Sequence, residues 1–165
     1  MNQTESTSPY RSGYVAILGR PNAGKSTLLN RLMGQPIAGV SSKPQTTRKR
    51  QLGILTGQDY QIIFVDTPGL HDSKDKLSQL INTEAVFALE DADVLLYLAD
   101  GSSRPDAMDA RLVALIQGLK QPVPVLLAVN KSDSLDDRSF AANKHRYEEL
   151  LPGARTIAVS AATGS

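Results

Sequence analysis

Apolar residues along this chain alternate between two rhythms. Short runs rich in Val, Ile and Leu are followed by stretches whose apolar positions recur three or four residues apart, the pattern of helices crossing over a mostly parallel sheet. Tyr14 to Leu18 reads as a first strand, and Leu28, Leu29, Leu32 and Met33 keep a helical period until Gly34 offers a stop. Gln51 to Leu55 and Gln61 to Val65 flank the turn-like Thr56-Gly57-Gln58-Asp59 and predict a hairpin, which places one antiparallel strand at an edge. Leu77, Leu80, Ile81, Ala85, Ala88 and Leu89 predict a second helix, and Val94 to Ala99 a buried strand. Met108, Leu112, Leu115, Ile116 and Leu119 predict a third helix, entered at Pro105. Val123 to Val129 follows as a strand whose hydrogen-bonded part begins at Val125, because Pro122 and Pro124 have no N–H to donate. A fourth helix carries Phe140, Tyr147, Leu150 and Leu151 and closes at Pro152-Gly153, and a last strand runs from Thr156 to Val159. The expectation is an α/β chain of six strands and four helices, a mostly parallel sheet with one antiparallel edge strand, in which the final covering helix of a doubly wound sheet is missing.

Composition narrows this little. A chain of 165 residues with 41% hydrophobic content is the size of one domain, expected over residues 14–165 behind a disordered polar lead, residues 1–13. The absence of cysteine excludes a disulfide framework and any thiolate metal site, and fits a cytoplasmic location. No apolar run approaches the roughly 18 to 20 residues that span a bilayer. A net charge of +1 gives no global field toward nucleic acid or membrane, although Lys43, Arg48, Lys49 and Arg50 form a local basic run.

The chemistry lies where strands end. Gly19-Arg20-Pro21-Asn22-Ala23-Gly24-Lys25-Ser26 fits the phosphate-loop pattern G-x-x-x-x-G-K-[ST], directly after a predicted strand and before a predicted helix. Its glycines let the main chain curl around phosphates, and the helix N-terminus adds partial positive charge. Lys25 would reach the β- and γ-phosphates, and Ser26 would place its hydroxyl on Mg²⁺. Asp66-Thr67-Pro68-Gly69 closes the strand Ile62 to Val65 at the sheet edge where open α/β sheets bind ligands. There Asp66 would hold Mg²⁺ through water, and the Gly69 N–H would approach the γ-phosphate. Taken alone, D-x-P-G is an ordinary turn.

Asn130-Lys131-Ser132-Asp133 follows the strand Val125 to Val129 at the same edge. A carboxylate at Asp133 accepts two parallel hydrogen bonds from N1–H and the exocyclic amine of guanine, a donor pair that adenine lacks. A site built for such bonds rejects an analogue without them by roughly 10⁴. Asn130 would tie this loop to the phosphate loop, and the Lys131 stem would lie across the base. Ser160-Ala161 closes the last strand, where Ser160 would brace Asp133 and the Ala161 N–H would meet guanine O6. None of the last three motifs is specific alone; their order, each at a strand end on one sheet edge, carries the reading of a GTP- and GDP-binding domain. Two rivals stand beside it: an ATP-dependent P-loop enzyme, which has no need of Asp133, and a non-catalytic guanine-nucleotide-binding module, motivated by Leu70 and the missing helix.

In the order and wording of these motifs the chain resembles the translation-factor-related GTPases, and specifically the Era family. The resemblance covers Tyr14 to Gly164 and is most pointed at Gly19 to Asn30, with Thr27 continuing the phosphate loop, at Pro44-Gln45-Thr46-Thr47-Arg48, Asp66-Thr67-Pro68-Gly69-Leu70-His71, and Ser160-Ala161-Ala162-Thr163-Gly164. It implies a Ras-like fold and a slow GTPase, with Lys25, Thr47 and Gly69 in the catalytic machinery. The first switch would span Lys43 to Arg50, where Thr47, with Thr46 the close alternative, completes the Mg²⁺ shell; the second would run from Asp66 to about Lys76. Leu70 stands where many GTPases carry a water-orienting glutamine, hence the slow rate. Asn22 is a candidate potassium ligand by the same resemblance, with hydrogen bonding within the loop as its plainer role. Era proteins carry a following RNA-binding KH domain that contacts small-subunit ribosomal RNA during ribosome assembly. This chain lacks that part, so weak or no specific RNA binding is expected of it, while the resemblance leaves room for peripheral association with the inner membrane.

Overall fold

Ile17, Leu29, Leu95, Leu98 and Leu127 are fully excluded from solvent, and all but Leu29 lie on strands of one twisted sheet. The computed structural model describes residues 9–34, 51–66 and 86–165. In chain order these form β1 (Arg11–Leu18), α1 (Lys25–Met33), β2 (Gln51–Thr56), β3 (Tyr60–Asp66), β4 (Val94–Asp100), α2 (Ala107–Gln117), β5 (Val125–Asn130), α3 (Asp137–Leu150) and β6 (Arg155–Ala158). Residues 86–90 are also helical. The earlier part of the helix expected over Leu77 to Leu89 lies outside the described residues.

The strands are ordered β2-β3-β1-β4-β5-β6. Every neighbouring pair is parallel except β2 with β3, the hairpin that forms the antiparallel edge. Each sheet face is apolar because successive strand residues alternate sides while both sides are covered. Ile17, Phe64, Leu96, Leu98 and Ala128 face α1, which contributes Leu28, Leu29 and Met33. Ala16, Leu18, Leu95, Tyr97, Leu127 and Val129 face the other way, against Leu89 of the helical residues 86–90, Leu112 and Val113 of α2, and Phe140 and Tyr147 of α3. Among the described residues, α1 is the one helix packed on its face, and Ile157, which pairs beside Ala128, remains 38% exposed.

Several strand ends differ from expectation by one residue, and β1 differs by more. β1 begins at Arg11, because Arg11, Ser12 and Gly13 pair with Tyr60, Gln61 and Ile62 of β3. Residues 11–13 are therefore strand and not part of a polar lead; they have little apolar character because that end of the sheet is exposed on both sides. β6 runs from Arg155 to Ala158, one residue earlier than predicted, and Val159 continues through Val159 N–H to Val129 O at 2.9 Å.

Candidate functional site

Parallel strands deliver their carboxyl ends to one edge, and four of them end there on polar or loop-forming residues. β1 gives way at Leu18 to the phosphate loop, β3 ends at Asp66, β4 at Asp100 and β5 at Asn130. The ladder aligns Ile17 with Asp66 and Asp100 with Asn130.

The phosphate loop curls back on itself. Ala23 N–H donates to Arg20 O at 3.3 Å, and the Lys25 ammonium donates to the carbonyls of Gly19 and Arg20, both at 2.8 Å. Asn22 takes a left-handed conformation (φ 63°), and Gly24, which caps α1, has φ 101°. A methyl group at Gly24 would also collide with the Asn130 amide nitrogen, so glycine is required there for space as well as for conformation. Ser26 and Thr27 open α1 immediately after Lys25, and Pro21 lies in the turn before it.

Asn130, 3% exposed, joins three segments. Its Nδ2 donates to Ala23 O at 2.8 Å in the phosphate loop, and its Oδ1 accepts from Ala161 N–H at 2.9 Å in the loop after β6. The Ala161 N–H expected to face guanine O6 is thus engaged by Asn130 in this structure. Ser160 Oγ donates to Asp133 Oδ1, which links the two loops a second time. Lys131, with φ 66°, folds back so that Nζ donates to Asp100 Oδ2 at 2.6 Å. The opposite Asp100 oxygen accepts from Ser102 N–H and Oγ. Burial pushes the Asp100 carboxyl up, but the bonds from Lys131 and Ser102 prevail and hold it below its ordinary value.

Arg20 turns its side chain away from the loop. Its guanidinium donates to Asp106 Oδ2 at 2.5 Å, to Ser103 Oγ at 2.7 Å and to Tyr147 Oη at 3.2 Å, and lies 3.2 Å from Asp109 Oδ2. Asp109 also accepts from Tyr97 Oη at 2.7 Å. Burial raises the Asp109 carboxyl above its usual range, although Tyr97, the Asp106 N–H and Arg20 pull it back in part. Burial likewise raises the Tyr97 and Tyr147 hydroxyls, with the charge of Asp109 adding to it. The link from Asp100 to Lys131 and the seat of Arg20 were not read from sequence. For Asp100 a signal existed, an acid ending an apolar strand at the edge already identified; for Arg20 none did, since its partners lie far along the chain.

Of the other predicted site residues, Thr46, Thr47, Thr67, Pro68, Gly69 and Leu70, with the basic run Lys43 to Arg50, lie outside the described residues. Asp66 is described as the last residue of β3, with its backbone beside Ile17. Among the described residues, no group of three or more acidic or histidine side chains converges as a metal cluster, and no helix is long and apolar enough to cross a membrane.

A strand, a glycine-bounded loop and a helix whose first residue is the loop lysine, on a sheet of this order, define a Ras-like P-loop fold. The chain belongs to the 50S ribosome-binding GTPase family, which it matches over residues 14–131. It is 46% identical over 156 residues to GTPase Era of Ectopseudomonas mendocina, covering 93% of this chain and 51% of that protein. Against GTPase Era of Geobacter metallireducens the identity is 37% over 159 residues, covering 96% and 53%. Among solved structures it is similar to Era in complex with MgGDPNP and a segment of 16S ribosomal RNA, with TM-score 0.86, 34% identity, and 94% and 53% of the two chains covered. A variant of Aquifex aeolicus Era bound to GDP and AlF4⁻ matches with TM-score 0.82 and 35% identity, covering 93% and 52%. The chain spans about half the length of the curated relatives it matches.

Proposed function

We propose that this chain is the nucleotide-binding half of an Era-type GTPase, a switch that binds GTP with Mg²⁺ and hydrolyses it slowly to GDP. The observation that supports this best is the Asn130 amide, which joins Ala23 of the phosphate loop to Ala161 of the last loop. One nucleotide laid across that amide would meet Lys25 at its phosphates and Asp133 at its base. Ser26, with Asp66 and Thr47, would supply the hard oxygen donors that suit Mg²⁺. When bound, the ion would neutralise charge developing between the β- and γ-phosphates. Lys25 already points along the inner side of the loop, where the carbonyls of Gly19 and Arg20 hold its ammonium. A phosphate would take over that charge, an exchange that requires no rebuilding of the backbone.

Titration of the protein with GDP, GTP and ADP in the presence of Mg²⁺ tests the reading. Binding of the guanine nucleotides with ADP at least a thousandfold weaker is expected from the two hydrogen bonds that the Asp133 carboxylate would accept from guanine N1–H and its exocyclic amine. Equal binding of ADP would favour the ATP-dependent reading. Single-turnover hydrolysis compared with Lys25→Ala separates a slow enzyme from a binding module, and equal rates in KCl and NaCl would remove Asn22 as a potassium ligand. The Era–RNA complex among the similar structures supports a role for the longer protein on small-subunit ribosomal RNA. For this half, a gel shift with the 3′ end of that RNA should show weak binding at most.

A further inference from the structure

Arg31 lies in the last turn of α1, a position where a basic side chain commonly does no more than face the helix dipole in water. Here it does something more specific. Its Nε donates to Ala161 O at 3.4 Å and its Nη2 donates to Ala162 O, both about 130 residues away in sequence. The planar fork of an arginine suits two acceptors on one short segment, and a lysine ammonium could not meet both in the same fixed geometry. Gly164 packs against the same guanidinium closely enough that an added methyl would lie 3.3 Å from Nη1.

The gripped segment is the one that presents the Ala161 N–H. Ala161 is 3% exposed, and its N–H donates to Asn130 Oδ1 at 2.9 Å. Asn130 returns through Nδ2 to Ala23, while α1 starts at Lys25, two residues further on. Phosphate loop, helix, arginine, last loop and asparagine therefore form a closed mechanical circuit, with the helix as its stiff member. We propose that Arg31 is a positioning residue for base recognition: by holding residues 161 and 162 it aims the Ala161 N–H at the edge of a bound purine and sets the preference for an oxo group at position 6. This rests on the guanine-nucleotide reading above. A main-chain N–H shared between Asn130 Oδ1 and a base oxygen attracts an acceptor, meets a 6-amino group donor to donor, and gains nothing from a hydrogen at that position.

The test compares the affinities of GDP and 2-aminopurine riboside 5′-diphosphate, which keeps the exocyclic amine and lacks the 6-oxo group together with the N1–H. The N1–H loss at Asp133 is common to parent and variants, so the change in preference on substitution reads the 6-oxo contact. They are measured by calorimetry with Mg²⁺ on the 165-residue chain and its variants Arg31→Met and Arg31→Lys. Arg31→Met keeps much of the stem and removes the fork. It should lower the preference for GDP about tenfold, mostly by weakening GDP, the loss of a hydrogen bond's worth of discrimination. Arg31→Lys should fall between Arg31→Met and the parent, and circular dichroism confirms which variants are folded. A preference unchanged in both variants, or the same loss for both ligands as a purely structural arginine would give, overturns the inference. A parent protein that binds neither ligand overturns the guanine reading and this inference with it.

Discussion

Asn130 concentrates more of the site in one side chain than any residue around it. Both ends of its amide are satisfied in a buried setting, one by a carbonyl and one by an N–H. Asn130→Ala would strand both main-chain partners and should lower unfolding free energy by about 2 to 3 kcal/mol in urea titrations, since each unsatisfied buried group costs about 1 to 3 kcal/mol. Asp100 lends itself to a different measurement. Its carboxyl is depressed on folding, against the pull of burial, by Lys131 and Ser102. A depressed acid adds stability that is complete above its ordinary value of 3.8 and is lost as pH falls through the lower folded value. Asp100→Asn should therefore flatten the decline of melting temperature below about pH 4. A decline as steep as the parent's would mean that the Lys131 contact does not persist in solution.

At the scale of elements, α2 begins with a reciprocal cap: Asp106 accepts from the N–H groups of Met108 and Asp109, and Asp109 accepts from the N–H of Asp106. Asp106→Ala should cost about 1 kcal/mol from the cap, measured by chemical denaturation. Its bond to Arg20 adds little, because the Asp106 side chain is 52% exposed and water screens the pair. Such local devices explain what could be read from the letters. The strand starting at Val125 was visible because Pro124 precedes it, and the end of α1 because Gly34 follows with φ 67°. The extension of β1 to Arg11 was invisible, since polar residues pairing at an exposed sheet end leave no periodic signature. Nor could the letters reveal that Arg20 and Arg31 leave their own element for partners across the fold. A hydrogen bond between residues 86 or 130 positions apart imposes no pattern on either segment. The site was legible where chemistry coincided with a strand end, and lost where long side chains knit those ends together.

For the molecule as a whole, a nucleotide bound across the three loops as proposed would stabilise the folded state by mass action. With Mg²⁺, GDP at a hundred times its dissociation constant should raise unfolding free energy by about 2.7 kcal/mol, visible as an upward thermal shift. ADP at the same concentration should leave the melting curve in place; a shift of equal size would contradict guanine selectivity.

Asp100 and Asn130 finish adjacent strands on the same rung. Removing a single residue from the interior of β5 would rotate every later side chain to the opposite face. Asn130 would then meet hydrophobic packing instead of Ala23, so strand length here is intolerant of any odd change. At the far rim, the bend at Gln58 and Asp59 is tied to β1 through Arg11 N–H to Asp59 O at 3.0 Å, and an insertion beside Gln58 would fall at the opposite end of the strands from Asn130.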